Sequence, residues 1–449
     1  MSAVITDELK RKVLGRILAE VNGDVGADSD SYFIGIGKSE PWNDSDIPDT
    51  AYNHGTYGYD ERQFRYGLQS VKKVVDASFI VPRVNWASGT IYQAYSDKSE
   101  GHPTTPFYAL SDANNVYVCV ERARNADGSL KTSTIAPTGQ STSVLSTADG
   151  YRWQFLYTIP TSRSIKFLSS NYMPVALVDS DDAVASVPDA IQKSIQDAAV
   201  PGQVLNCQIT AGGTGYTSAP TVVFAGNGTD AAATATVTAG VVTRIVMTNR
   251  GSGYTNCQVT LTGGGGSGAT LRPVIANKGG LGSNPLMDLK SKALMFNIKA
   301  DGLENDDFIV DNEFRQMGLL NNILNPAGDR FEGSTALALK KLILSSPSEA
   351  STFSLDQEIT GSVSGTKALI DYIDSDILFY HQTPTTGFGA FDSDIASTIT
   401  ASGASGTLSS IIDSADIDNL SGSLLYLENR AAVERSLNQT EDIKIIIQI

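Results

Sequence analysis

Cysteine is scarce in this chain. Cys119, Cys207 and Cys257 are the whole complement among 449 residues. So odd and widely spaced a set excludes a disulfide framework and a paired CxxC metal knuckle. Each reads as a small core or strand residue, and only Cys207 and Cys257 are placed to meet across neighbouring strands. Histidine is as rare, with His54, His102 and His381 alone. Basic charge is also in deficit: 33 Lys and Arg stand against 49 Asp and Glu, a formal charge of −16. That sign repels a phosphate backbone or an anionic lipid surface and argues against nucleic acid or membrane as partners. No apolar run approaches the roughly 20 residues that cross a bilayer. The opening MSAVITDELKRK lacks an apolar signal core, which points to synthesis and residence in a cytoplasm until release.

What is present is strand material. Aromatic residues crowd 32–180 and thin out over 200–275, where Gly, Thr, Ala and Val take over. The length predicts several folding units. Residues 6–21 offer Thr6 or Asp7 as an N-cap, then Leu9, Val13, Ile17 and Val21 at four-residue spacing, which predicts an amphipathic helix. From Tyr32 the pattern changes to short alternating runs between turn clusters, as in an all-β sandwich. Gly213-Thr-Gly-Tyr-Thr217 recurs 38 residues on as Gly251-Ser-Gly-Tyr-Thr255. The echo continues to Ala232-Ala-Thr over Gly268-Ala-Thr, so a two-copy repeat is expected, each copy two short strands with glycine turns. A unit this small cannot bury a face alone, and the copies should pack on each other. A second Ser/Thr-rich module is expected near 350–410. Residues 308–326 read as a strand or a short helix ending at Pro326. Asp442-Ile-Lys-Ile-Ile-Ile-Gln-Ile449 reads as a strand apolar enough to be central in a sheet.

The fold expected is mainly β: a β-sandwich body with two inserted small β modules and a short N-terminal helix. The boundaries are 1–27 for helix and linker, 28–200 for the first part of the body, 201–278 for the glycine-rich insert, 279–345 for the second part of the body, 346–415 for the Ser/Thr-rich insert and 416–449 for the C-terminal strands. Both inserts are expected to project outward as separate modules.

Motifs for chemistry are weak. None of His54, His102 and His381 has a His or Cys partner at metal-ligand spacing, and surface or satisfied loop histidines are the simpler reading. Gly35-Ile-Gly-Lys-Ser39 invites a phosphate-loop reading but fails on spacing, because the position needing the first glycine is Tyr32. Carboxylates cluster at Asp44, Asp46 and Asp49, and at Asp301, Glu304, Asp306 and Asp307. A carboxylate pair can serve glycoside cleavage or calcium, yet neither run fits a calcium loop, and solvated loop acids are the bland alternative. Tyr216 and Tyr254, one per repeat copy, suit sugar stacking or, more simply, packing. No catalytic, cofactor-binding or metal residue is assigned, and no cofactor is expected.

Three stretches together resemble a known family: Phe33-Ile-Gly-Ile-Gly-Lys-Ser-Glu-Pro-Trp42, Asp149-Gly-Tyr-Arg-Trp-Gln-Phe-Leu-Tyr-Thr-Ile-Pro160, and the run Tyr426-Leu-Glu-Asn-Arg430 through Asp442-Ile-Lys-Ile445. With Ile80-Val-Pro-Arg-Val-Asn-Trp86 and Leu324-Asn-Pro326 in the same chain order, they resemble the gene-eight-type baseplate wedge subunit of T-even-like contractile-tailed phages. The resemblance covers roughly 30–180, 280–330 and 420–449. It implies a non-enzymatic all-β virion protein of the tail baseplate, assembled in the host cytoplasm, acting as a homodimer that links other wedge subunits. The two inserts depart from the family pattern. The alternative is a carbohydrate-binding or glycan-cleaving tail protein with its sites in those inserts.

Overall fold

A computed structural model of the chain describes residues 5–23, 29–38, 57–98, 101–178, 186–304, 306–392, 397–412 and 415–449. Strand accounts for 44% and helix for 13%, so the protein is mainly β, with several antiparallel sheets and an N-terminal helix. The chain forms two compact units: Met1–Leu14, Ser78–Met295 and Ile447–Ile449 make one, and Gly15–Ala77 with Phe296–Ile446 make the other.

The N-terminal helix runs over Asp7–Asn22. Thr6 is its cap, the hydroxyl accepting from the Leu9 amide at 3.3 Å. The stripe differs from the expected one: Leu14 is buried, while Leu9 and Val13 are exposed. Strict four-residue spacing drifts round a helix of 3.6 residues per turn, so Leu9 and Val13 leave the face that Leu14 occupies.

In the first unit a sheet is ordered Tyr108–Leu110, Asn115–Glu121, Arg152–Thr158, Leu145–Ser146. Every residue of Asn115–Glu121 is buried. Large rings fill the space: Tyr92 meets Trp153 edge-on at 5.0 Å and Tyr151 at 6.3 Å. The Asp149 carboxylate accepts from the Ser133 hydroxyl (3.1 Å) and from the amides of Thr134 (2.8 Å) and Ile135 (3.0 Å), fastening a loop to this core. Burial opposes that charge, but these hydrogen bonds outweigh it and hold the acid below its ordinary range.

The repeat has three strands per copy, not two: Val204–Thr214, Thr221–Gly226 and Thr229–Thr238 in the first, Val241–Ser252, Cys257–Thr262 and Ser267–Ile275 in the second. The copies exchange strands. The first strand of copy one pairs with the third of copy two, and the first strand of copy two with the third of copy one. Adding 38 to each first-copy position and subtracting 38 from each second-copy position turns one pairing into the other: Ala231↔Arg250 becomes Ala269↔Gly212, and Ala233↔Met247 becomes Leu271↔Ile209. Both register shifts are reproduced, after Ala232 and Thr236 in one ladder and after Thr270 and Val274 in the other. The middle strands pair across the pseudo-two-fold, with Thr221↔Thr262 and Phe224↔Val259 as images of each other. The equivalence stays at 38 throughout, so Ala231 matches Ala269, and the offset implied by laying Ala232 on Gly268 is corrected.

Rather than projecting freely, the repeat is docked within its unit. Asn206 donates to the carbonyls of Tyr95 (3.1 Å) and Val120 (3.0 Å). Glu121 accepts from Arg152 (3.2 Å) and from Arg250 (2.8 Å) on the repeat. Such buried polar groups need these partners, so the insert cannot be lifted away without orphaning them.

The second unit holds a five-stranded sheet, ordered Thr335–Leu337, Leu68–Lys73, Tyr32–Gly37, Glu313–Asn321, Ser423–Glu434. Glu313–Asn321 is thus strand where strand or short helix was open. Six further strands close a barrel: Lys340–Leu344, Ile377–His381, Lys367–Asp374, Glu358–Gly361, Thr398–Ala401 and Ala404–Ile412. Its core includes Leu342, Ile359, Ile370, Leu378, Tyr380, Ile399 and Leu408. The two C-terminal strands do not pair with each other. Ser423–Glu434 joins Glu313–Asn321, and Thr440–Gln448 is an edge strand of a different sheet. Glu441, Ile443 and Ile445 face inward in alternation and Ile449 is exposed, so one face is covered rather than two.

Candidate functional site

Gly35 and Gly37 lie in the fully buried strand Tyr32–Gly37, paired on both sides. Gly35 sits directly opposite Gly318, and the Phe64 ring, from helix Tyr57–Tyr66, covers both. A Cβ on Gly318 would come within 2.6 Å of that ring, and one on Gly35 within 2.8 Å of Leu68 and 3.4 Å of Phe64. The glycines therefore make room for an aromatic side chain, and their extended, paired backbone offers no phosphate cradle. Lys38 is buried, donating to Asn312 Oδ1 at 2.7 Å and pairing with Asp356. Ser39, Pro41, Trp42, Asp44, Asp46, Asp49 and His54 lie outside the described residues.

The arrangement closest to chemistry is at His381. Its Nδ1 is 2.5 Å from Asp371 Oδ2, and because an ionised carboxylate only accepts, Nδ1 is the donor. Asp371 is fully buried and His381 nearly so. The ladder places them: Ile370 opposes Tyr380 and Tyr372 opposes Phe379, so Asp371 is the extra residue of a bulge. A bulge re-aims its side chain, here towards His381. Gln69 donates to Asp371 Oδ1 at 3.4 Å, and Asn312 donates to the Asp371 carbonyl at 2.5 Å. Burial disfavours the charged ring, but the Asp371 carboxylate outweighs it and raises the His381 pKa.

His381 also lines a cleft of about 620 Å³ with Arg65, Tyr66, Lys340, Phe388 and Asp418. A histidine backed by a carboxylate can move a proton, yet acyl transfer needs a nucleophile beside it. Among the described residues, no Ser, Thr or Cys lines this cleft. The Arg65 guanidinium is committed to Glu61 and to the carbonyls of Asn419 (3.0 Å), Ser421 (2.7 Å) and Gly422 (3.0 Å). The Lys38, Asn312, Asp371, Gln69 and His381 groups form one buried network joining the barrel to the five-stranded sheet. His381 is thereby a framework residue, not the loop histidine the sequence suggested.

The other candidates do not converge. His102 Nε2 is 2.7 Å from the Leu289 carbonyl, and burial lowers its pKa. In the acidic run, Glu304 pairs with Lys72 and accepts from the Asp301 amide at 2.9 Å, Asp307 accepts from Thr335, and Asp301 accepts from Thr440 at 2.5 Å. These bonds clamp a turn. Tyr216 and Tyr254 are both buried. A Cβ on Gly266 would lie 2.5 Å from the Tyr216 ring and one on Gly228 2.3 Å from the Tyr254 ring, so each ring lies on glycine backbone and packing is its role. Cys119, Cys207 and Cys257 are free thiols. Cys207 lies 3.9 Å from Met247 Sδ, and burial pushes its thiol up to about 12. Among the described residues, no three His, Cys, Asp or Glu side chains are grouped to hold a metal ion.

Sequence reading missed Asp371, because in Ile370-Asp-Tyr-Ile-Asp374 it looks like an ordinary outward strand position and nothing local announces the bulge. Compared with known proteins, the chain matches no family model and no curated protein.

Proposed function

We propose that this chain is a structural virion protein, a baseplate wedge subunit of a contractile phage tail that links other wedge proteins as a homodimer, without catalysis or cofactor. What supports the reading is a set of five stretches of sequence that, in the same chain order, resemble the gene-eight-type subunit. Where those motifs lie in the described residues, they supply framework: Phe33, Ile34 and Ile36 in a fully buried strand, Ile80 and Val81, Asp149 with Tyr151 and Trp153, and the buried Arg435–Glu441 pair at 2.8 Å. Around His381 the buried polar groups are committed to one another and to joining strands, which suits a framework role.

The alternative, carbohydrate binding, draws on the exposed Phe388 and on Tyr66, whose rings are 4.4 Å apart beside the 620 Å³ cleft. Removing the gene from the virus that carries it separates the two. Loss of the tail plate, restored by the full chain, supports the structural reading. Intact contractile tails that fail only to bind or cleave host polysaccharide would replace it with the alternative.

A further inference from the structure

The first unit contains a concentration of positive charge at odds with a chain of net charge −16. Arg122 and Arg124 follow strand Asn115–Glu121, and Arg244 lies on repeat strand Val241–Ser252. All three line one pocket of about 480 Å³, together with Glu121, Gln208 and Thr210. The arginines are underused. Arg124 donates to the Gly128 carbonyl (2.6 Å) and Arg244 to the Gly150 carbonyl (3.4 Å). Arg122 has no hydrogen-bond or ion-pair partner among the described residues.

One carboxylate, Glu121, lines the same pocket, and its Oε2 makes no hydrogen bond to any of the three. Oε1 of Glu121 is taken by Arg152 and Arg250. Burial pushes this acid up even against Arg250, Arg152 and Arg244. Burial lowers the Arg124 pKa, and the charges of Arg122 and Arg244 lower it further, so the guanidinium groups feel one another. Elsewhere in this unit arginines are matched: Arg272 holds Asp97, Ser96 and Gln208, and Arg83 holds Asn85 and the Ser169 carbonyl.

We propose that this pocket is an anion site, in which Arg122, Arg124 and Arg244 together hold a compact oxyanion carrying two or more negative charges, of the diphosphate class. Guanidinium forks match phosphoryl oxygens in pairs. A single monoanion leaves much of the repulsion in place, and the pocket is of small-molecule size. Because Arg244 comes from the repeat and Arg122 and Arg124 from the aromatic sheet, a bound anion also ties the repeat to that sheet. The proposal does not rest on the virion reading.

The test is calorimetric titration of the full-length protein with sodium pyrophosphate at neutral pH and low salt, with thermal unfolding alongside. Expected are one saturable site, a raised Tm, and affinity weakened at least about tenfold in R122Q. R83Q, away from the pocket, should bind as the unaltered chain does. Arg122 holds nothing in the fold, so R122Q should keep its Tm without ligand. Absence of saturable binding, or equal binding by R122Q, overturns the proposal. So does binding by the unaltered protein that is insensitive to added potassium chloride, a result that decides the matter even if R122Q folds poorly.

Discussion

The glycine repeat and the six-stranded barrel start from similar sequence, Gly, Thr and Ser around short β-branched strands, and they differ in what surrounds several of their left-handed glycines. In the repeat, backbone approaches backbone: Gly213 and Gly251 have positive φ of 64° and 61°, and a Cβ on either would lie 2.4 Å or 2.2 Å from a carbonyl oxygen of the exchanged strand. In the barrel, turn glycines such as Gly365 and Gly403 have positive φ but nothing within 4 Å of a Cβ. The barrel obtains its order from one continuous apolar core and from the buried network at His381. The repeat has only small clusters around Tyr216 and Tyr254 and obtains its order from exact-fitting exchange of strands. Composition alone does not say whether glycine is a hinge or a packing residue. The neighbouring strand decides.

The contrast can be pressed hardest at the network. Asp371→Ala leaves His381, Gln69 and the surrounding strands without a buried acceptor. Breaking a buried pair this way costs about 3–5 kcal/mol, read as a lowered urea midpoint for the unit that contains the barrel. A loss under about 1 kcal/mol would mean the pair behaves as a solvated one and the network does not hold the barrel in place.

Next in size are the repeat glycines. Gly251→Ala combines left-handed backbone with a backbone collision and should cost roughly 2–4 kcal/mol. The pseudo-two-fold predicts that Gly213→Ala costs about the same. Gly403→Ala meets only the conformational penalty, about 1 kcal/mol. Equal losses for Gly403→Ala and Gly251→Ala, measured by thermal unfolding, would erase the distinction between the two modules.

A smaller effect is expected from pH. His381 has a folded-state pKa above its ordinary value of 6.5. Its contribution to stability is therefore complete below about 6.5 and is lost as pH rises through the raised value. Stability of the barrel unit should fall on this alkaline side, and His381→Gln should flatten that part of the profile while lowering the plateau. A profile unchanged by His381→Gln would show that the ring is not charged in the fold.

Much of this architecture was legible in the sequence for local reasons. Period-two runs marked the strands, Thr6 or Asp7 marked the helix start, and the recurrence of Gly-x-Gly-Tyr-Thr marked the repeat. What was not legible is non-local. One of the two exchanges, the first strand of copy one with the third of copy two, depends on pairing across some 50 residues or more, as in Ser267↔Thr214, while its image is a local hairpin closing at Thr238↔Val241. The separation of the two C-terminal strands into different sheets depends on partners more than 100 residues away, as in Gly318↔Leu427. The Asp371 bulge, and the gathering of Arg122, Arg124 and Arg244 from two sheets, likewise exist only once the strands are in register. The Gly35-Ile-Gly37 pattern was visible, but its cause, the Phe64 ring over Gly35 and Gly318, was not.

The proposal that this chain is a baseplate wedge subunit is tested most directly by locating it in the virus particle. Electron cryomicroscopy of the intact virus should show density matching the two units, including the six-stranded barrel and the exchanged repeat, within the tail baseplate and in contact with other plate subunits. Density for the chain out on a fibre, or its absence from a particle with a complete baseplate, would contradict the account.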